Sequence, residues 1–155
     1  MIEAARPASA DDVPRLAELA RAAIDELRTT KGGEVWARRE ARTEPLEDSL
    51  AADVANPDAL VLAGVIDDAM IGYAVASIEV LTDGSSLARL TDVYVEAEAR
   101  GVGVGEAMLD AVVAWATERK CIGIDALALP GNRETKNFFE SFGLVARAIV
   151  VHRPL

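Results

Sequence analysis

The chain has 155 residues, 51% of them hydrophobic and 27% charged, and its 16 basic and 26 acidic residues give a formal net charge of −10. These values predict one globular domain over residues 1–155. They also argue against nucleic acid as a partner, because proteins bind phosphate backbones mainly through Lys and Arg, and acidic residues are in excess here. The single cysteine excludes an internal disulfide. With no apolar run of bilayer length and no signal-peptide pattern, we expect a soluble cytoplasmic protein that does not bind membranes.

The first third of the chain predicts a short strand followed by three helices. Ser9-Ala10-Asp11-Asp12 has the pattern of a capping box, and apolar residues at helical spacing follow it. Pro45 suits the start of the third helix, and Asn56-Pro57 suits its end. The expected elements are a strand at 2–5 and helices at 11–28, at 34–42 and from 45 to about 55.

The remainder predicts a meander of three strands and then a strand–helix–strand unit. Runs rich in Val and Ile alternate with turn residues such as Asp67-Asp68, which is typical of antiparallel hairpins. Strands on either side of a crossover helix are parallel. The fold class is therefore α+β (mixed α/β), a mostly antiparallel mixed sheet with a central parallel strand pair and helices on both faces. The expected elements are strands at 59–66, 70–81, 87–95, 122–129 and 144–151, and helices at 103–119 and 133–142.

The clearest chemical signal is the turn Arg100-Gly101-Val102-Gly103-Val104-Gly105, between a predicted strand and a predicted helix. Glycines let the backbone approach a ligand closely, and the first N–H groups of a helix have no partner within it. Such a helix start binds anions, and a pyrophosphate is a natural occupant. Neither the Walker A pattern nor the dinucleotide fingerprint fits, because Glu106 and Met108 stand where those motifs require glycine.

Two segments resemble a known family. Val93-Tyr94-Val95 followed by Arg100-x-x-Gly103-x-Gly105 is similar to the glycine motif of the GNAT superfamily of N-acetyltransferases. Asn132 and the run Phe138-Phe139-Glu140-Ser141-Phe142-Gly143-Leu144 resemble the final helix pattern of the same family. The resemblance is close in motif over about 87–144.

This resemblance implies a GNAT-like fold, in which the parallel strand pair splays apart, and acetyl-CoA as co-substrate with no metal. Backbone groups near Val93 would hold the pantetheine arm and the acetyl carbonyl, and those of Gly101 to Glu106 would hold the pyrophosphate. Asn132 would contact the pantetheine, with a plain helix N-cap as the alternative or additional role. The cofactor-binding residues implied are Val93, Tyr94, Val95, Arg100, Gly101, Val102, Gly103, Val104, Gly105, Glu106, Asn132 and Phe139.

The implied reaction is direct attack of an amine on the acetyl thioester, which needs a base, an oxyanion donor and a proton for the leaving thiolate. Where the family usually has the tyrosine that supplies this proton, the chain has Phe139, so either Ser141, a water or Tyr94 would serve as donor or the thiolate would leave unassisted. Asp92 is the candidate base, and an ion pair is its alternative role. Strand alternation places Tyr94 on the same face as Asp92, so these two are the catalytic candidates.

The acceptor is expected to be the primary amine of a small molecule or a peptide. Three alternatives stay open, namely a non-catalytic or weakly active acyl-CoA-binding protein, an enzyme that transfers another acyl group, and a nucleotide-binding module. A homodimer is also expected, because the apolar strand predicted at 144–151 would offer an unpaired edge to a second copy.

Overall fold

The computed structural model describes residues 2–155, which form a five-stranded sheet covered by helices on both faces. The strands are β1 (Glu3–Pro7), β2 (Ala59–Ile66), β3 (Ala69–Val80), β4 (Ser86–Val95) and β5 (Ile124–Ala126). The helices are α1 (Val13–Arg28), α2 (Gly33–Arg39), α3 (Leu46–Ala55), α4 (Val104–Glu118) and α5 (Arg133–Ser141).

The strands lie in the sheet in chain order, which confirms the predicted fold class. Neighbours from β1 to β4 are antiparallel, whereas β5 runs parallel to β4 after the crossover through α4. Asp67 and Asp68 form the tight turn between β2 and β3, with positive φ values of 47° and 73°. Aspartate tolerates this left-handed conformation better than most residues, which explains the Asp-Asp pair at this turn.

Helix α4 packs unusually close to the sheet because the strands beneath it carry small residues. A Cβ at Gly64 would lie 2.6 Å from Cγ1 of Val104, and one at Gly72 would lie 2.7 Å from the carbonyl oxygen of Tyr94. Met108 of α4 reaches both glycines. The start of α4 is therefore fixed directly against the middle of the sheet.

The opposite face of the sheet is covered by α1 and α3. Leu16, Leu50 and Val75 are fully buried in the core on this side. The capping box before α1 forms as predicted, since the Asp12 carboxylate accepts a hydrogen bond of 2.8 Å from the Ser9 N–H and also pairs with Arg6. These contacts fix the start of α1.

A β-bulge at Thr91 changes which side chains of β4 point to each face. Val75 of β3 pairs with Asp92 and the next residue, Ala76, pairs with Leu90, so Thr91 has no partner of its own. Leu90 packs in the core beneath α4, whereas the Asp92 carboxylate lies on the α1 side. The extra residue thus allows two side chains only two positions apart to point in opposite directions.

The predicted final strand at 144–151 is wrong, and the strand predicted at 122–129 is shorter than expected. After Gly143 the chain has no regular secondary structure, and β5 pairs with β4 at three positions only. Val145, Ile149, Val150 and Val151 are exposed. Val and Ile give strand propensity, but a strand also needs backbone pairing, and within residues 2–155 this segment pairs with no strand of the sheet.

Candidate active site

A cavity of about 230 Å³ lies where β4 and β5 separate. Its walls come from α1, α2, the end of β4, the glycine turn, the first turn of α4, the segment after β5 and the first half of α5. Every predicted site residue borders this cavity except Val102, Gly103 and Val104. The side chain of Val104 is buried in the core beneath α4 instead.

The cavity exists because the two parallel strands pair only at their beginnings. The last pair is Leu90 with Ala126, and beyond it Val93 and Leu129 line opposite sides of the opening. The Glu96 N–H bonds to the carbonyl of Ile71 on the β3 side, at 2.8 Å. Because backbone groups alternate along a strand, those of Val93 and Val95 point the other way, into the opening. The separation of the strands expected from the family resemblance is therefore present.

The glycine turn places the start of α4 at one end of this cavity. Gly101 and Gly103 have φ values of 84° and 98°, which favour glycine, and α4 begins at the next residue, Val104. A Cβ at Gly105 would lie 3.2 Å from the Phe138 ring. The first N–H groups of a helix lack partners within it and carry partial positive charge, so this end of the cavity suits an anion.

Arg100 spans the cavity mouth from the glycine turn to α1. Its guanidinium makes two hydrogen bonds to Glu26, of 3.0 and 2.9 Å, and Nε donates to the Val95 carbonyl at 2.8 Å. The same guanidinium lies 5.4 Å from the centre of the Tyr94 ring, in a cation–π contact. Hydrogen bonding to Glu26 is the main cause of the raised pKa of Arg100. Its positive charge is thus already paired in this structure.

Asp92 lies in the wall between the cavity and α3, and its two oxygens accept four hydrogen bonds. Arg42 donates to both, at 3.0 and 2.9 Å, while Tyr73 donates to Oδ2 at 2.8 Å and Thr91 donates to Oδ1 at 2.7 Å. A carboxylate has about four lone-pair sites, so all of them are occupied. The ion pair considered as an alternative role for Asp92 is therefore formed.

Arg42 and Tyr73 are site residues that sequence reasoning missed. The Arg42 guanidinium also donates to Ser49 at 2.8 Å and Asp53 at 2.6 Å, both on α3. Burial lowers the pKa of Arg42, but its hydrogen bonds to Asp92 and Asp53 and their charges outweigh this effect and raise it. Burial first, and the charge of Asp92 second, raise the pKa of Tyr73 well above its ordinary value. No local sequence pattern marks either residue.

The two candidates on and before α5 have the contacts of structural residues as well as a place at the cavity. The Asn132 side chain accepts a hydrogen bond of 3.2 Å from the Thr135 N–H, so the N-cap role is present. Phe139 is 6% exposed and packs against Phe138, with ring centres 5.9 Å apart. The Ser141 hydroxyl donates to the Phe138 carbonyl outside the cavity. Tyr94 is therefore better placed than Ser141 to reach a ligand.

Two further features concern metals and membranes. Among residues 2–155, no three His, Cys, Asp or Glu side chains lie close enough together to hold a metal ion. In the same part of the chain, no helix is both long and apolar enough to cross a bilayer.

Comparison with known proteins agrees with this geometry. The family model for the acetyltransferase (GNAT) family matches residues 17–144. The chain belongs to the GNAT family. A search of the curated proteins found no match.

Several solved structures have the same fold as this chain. The BH1408 protein from Bacillus halodurans, as a tetramutant, superposes with a TM-score of 0.83 at 20% identity, and all of both chains is covered. A ribosomal-protein-alanine N-acetyltransferase from Brucella melitensis gives 0.72 at 15% identity, covering 99% of each chain. An aminoglycoside acetyltransferase from a soil metagenomic sample, in complex with sisomicin, gives 0.71 at 17% identity, covering 99% of this GNAT chain and 95% of that one. At these identities the likeness concerns the fold.

Proposed function

We propose that this GNAT protein transfers the acetyl group of acetyl-CoA to a primary amine by direct attack. The observation that carries the proposal is the opening between β4 and β5, where the backbone of Val93 and Val95 shares one cavity with the start of α4. Acetyl-CoA would supply an activated acetyl thioester on a long arm with phosphates at its far end. An extended arm fits a strand edge, and the phosphates fit a helix start.

The glycine turn fits the pyrophosphate for steric and electrostatic reasons. Apart from its two chain neighbours, no residue of 2–155 has an atom within 4 Å of where a Cβ at Gly101 would be, so the backbone there is open to a ligand. The N–H groups at the start of α4 would then donate to phosphate oxygens. Arg100 lies beside this turn, and its full positive charge would favour the phosphates while it stays paired with Glu26.

The backbone at Val93 and Val95 fits the other end of the arm. These residues lie at the unpaired edge of β4, so an N–H there would donate to the carbonyl oxygen of the thioester as that oxygen gains negative charge. Donors already fixed by a strand need no reorganisation, which is why such contacts stabilise transition states effectively. The packing of β4 against β3 holds them in place.

Tyr94 is the proton donor that we assign to the leaving thiolate. Its hydroxyl has no hydrogen-bond partner within residues 2–155, unlike the Tyr73 hydroxyl, which donates to Asp92. Burial raises the pKa of Tyr94, and the nearby Glu26 charge raises it further, against the opposing effect of Arg100. The phenol therefore keeps its proton at neutral pH and has it available to give. Phe139, at the position of the usual tyrosine, packs in the core.

Asp92 would act by holding other groups in place, and water would carry away the amine proton. All four acceptor sites of the carboxylate are filled by Arg42, Tyr73 and Thr91, which leaves none for a substrate proton. In the transfer, the amine nitrogen bonds to the acetyl carbon as the carbon–sulfur bond breaks. The amine nitrogen loses one proton to water, the thiolate gains one from Tyr94, and the Tyr94 phenolate then regains a proton from water.

Release of the CoA thiol in the presence of different amines is the direct test. We expect acetyl-CoA to raise the melting temperature, and acetyl-pantetheine, which lacks the pyrophosphate, to raise it much less at the same concentration. We also expect Tyr94→Phe to reduce thiol release while leaving the acetyl-CoA stabilisation intact. Stabilisation without thiol release for any amine would favour the non-catalytic acyl-CoA-binding protein. Stabilisation by ATP but not by acetyl-CoA would favour the nucleotide-binding module.

A further inference from the structure

We propose that the acceptor is a small primary amine with one positive charge, carried on an apolar, preferably aromatic, body. This inference rests on the proposed function and adds the chemical class of the second substrate. Three properties of the cavity carry it, namely its apolar wall, the pairing of its charges and its volume.

The part of the cavity away from the glycine turn has an apolar wall. Ile24 and Leu27 of α1, Trp36 of α2 and Ala41 after it all border the cavity. With the phosphates at the glycine turn, this wall is what remains for the acceptor. Trp36 provides a large flat apolar surface, which favours burial of an aromatic or aliphatic group over a hydrated polar one.

The acidic side chains on this side of the cavity are already neutralised. Asp92 forms two hydrogen bonds with the Arg42 guanidinium, and Glu26 forms two with that of Arg100. A polycationic acceptor would need several free carboxylates in the wall to replace the water that hydrates its ammonium groups, because each buried unpaired charge costs free energy. Although the chain carries a net charge of −10, its acceptor wall does not offer such carboxylates.

The carboxylates in the cavity wall without a salt-bridge partner within residues 2–155 belong to Glu106 and Glu134. They lie in the first turns of α4 and α5, and the charge of Glu134 acts on Arg100 beside the glycine turn. With the phosphates at that turn, we expect these carboxylates to face the phosphate end of the cavity and not the acceptor.

The volume of the cavity also limits the acceptor. At about 230 Å³ it is smaller than the ~300–1,000 Å³ of typical ligand pockets, and the thioester end of the arm must share it. A single ring on a short chain fits this space, whereas a molecule of several sugar rings would extend beyond it. The similarity to an aminoglycoside acetyltransferase thus concerns the fold, and this wall is built for a different acceptor.

The test compares four amines as acceptors in the thiol-release assay with the full chain. 2-Phenylethylamine and hexylamine represent the proposed class, and spermidine and sisomicin represent polycations. We expect kcat/KM for 2-phenylethylamine to exceed that for either polycation by at least about tenfold. A ratio of this size is expected from one additional apolar contact between the acceptor and the wall. A higher kcat/KM for spermidine or sisomicin would overturn the proposal.

Trp36→Ala tests the wall itself. We expect kcat/KM for 2-phenylethylamine to fall about tenfold or more, with the KM for acetyl-CoA and its stabilising effect unchanged. Val35→Ala is the matched control, since Val35 lies in the same helix, is exposed and does not border the cavity. Equal losses in both variants would contradict a role of Trp36 in acceptor binding. If Trp36→Ala lowers the melting temperature strongly, Trp36→Leu retains bulk and should give an intermediate kcat/KM.

Failure of the proposed function and failure of the acceptor class give different results. If acetyl-CoA stabilises the protein but no amine, of these four or of a wider panel, releases thiol, the proposed function is wrong and the acceptor class falls with it. If thiol is released with polycations and not with the apolar amines, the function stands and only the acceptor class is wrong.

Discussion

The Arg42 guanidinium is joined to the Asp92 carboxylate by two hydrogen bonds, Nε to Oδ2 at 3.0 Å and Nη2 to Oδ1 at 2.9 Å. Their side chains are only 7% and 11% exposed. Removing one partner of such a pair leaves the other charge buried and unpaired. We therefore expect Arg42→Met to reduce the free energy of unfolding by about 3–5 kcal/mol, measured by urea denaturation.

A matched control and a double variant separate this effect from a general loss of charge. Arg38 pairs with Glu34 on the surface of α2, where the side chains are 81% and 66% exposed, so Arg38→Met should change stability little. Adding Asp92→Asn to Arg42→Met should restore part of the loss, because the unpaired carboxylate is gone. If the double variant lost more unfolding free energy than the two single variants together, burial of an unpaired charge would not be the cause.

Gly101→Ala tests the phosphate site with a control of equal backbone strain. Gly101 and Gly84 have φ values of 84° and 86°, and a Cβ at either position would meet no atom within 4 Å. Both alanine variants should therefore lose a similar stability, of order 1–3 kcal/mol. Only Gly101 borders the cavity, so only Gly101→Ala should reduce the rise in melting temperature caused by acetyl-CoA. Equal acetyl-CoA effects in both variants would remove the turn from the binding site.

Asp12 makes the free energy of unfolding depend on pH in the acidic range. Hydrogen bonding to Arg6, more than any other contact, lowers the pKa of Asp12 from its ordinary value to about 2. Because the folded-state pKa is the lower one, the stabilisation is present above about pH 4 and disappears as the pH falls toward 2. Asp12→Asn should cost roughly 0.5–2 kcal/mol at pH 7, the usual worth of a cap, and much less near pH 2.

Urea denaturation at several pH values would measure the difference between Asp12→Asn and the unchanged protein. Asp11→Asn is the control, since Asp11 lies one residue away and the Ser9 N–H donates its capping hydrogen bond to Asp12. A stability difference that stays constant from pH 7 to pH 2 would show that the Asp12 charge does not contribute.

The phenol of Tyr94 should titrate above its ordinary pKa of about 10, which ultraviolet absorbance of tyrosinate can follow. The chain has two tyrosines, so Tyr73→Phe leaves Tyr94 as the only one observed. Burial and the Glu26 charge raise the pKa of Tyr94, while Arg100 opposes them. Adding Glu26→Gln should therefore lower the titration midpoint. A midpoint unaffected by this change would argue against the assigned contact between Glu26, Arg100 and Tyr94.

The homodimer remains a prediction, now with a different basis. The segment at 144–151 is not a strand, but its apolar side chains are exposed and Arg147 ties it to Asp125 of β5. A second copy covering this surface would remove it from water. Light scattering at micromolar concentration should give the mass of a dimer, and Ile149→Lys should shift it toward that of a monomer. A monomeric mass for the unchanged protein would refute the prediction.

Sequence reasoning found the parts of the site that depend on neighbouring residues. The glycine turn and the end of β4 were recognisable because their chemistry depends on consecutive backbone groups. It missed Arg42 and Glu26, whose partners are 50 and 74 residues away in the chain. Such pairs depend on how the helices pack on the sheet, and the local spacing of apolar residues in the sequence does not indicate that packing. The final strand was predicted wrongly for the same reason, since its pairing depends on a distant partner.

The bulge at Thr91 means that the register of β4, and not only its side chains, determines the site. If Thr91 instead paired with Val75 and the pairing of the preceding residues were kept, every following side chain would move to the other face of the sheet. Asp92 and Tyr94 would then enter the core beneath α4, while Val93 and Val95 would face α1. The backbone groups lining the opening would be exchanged at the same time. One unpaired residue therefore keeps the carboxylate, the phenol and the strand edge in their relative places.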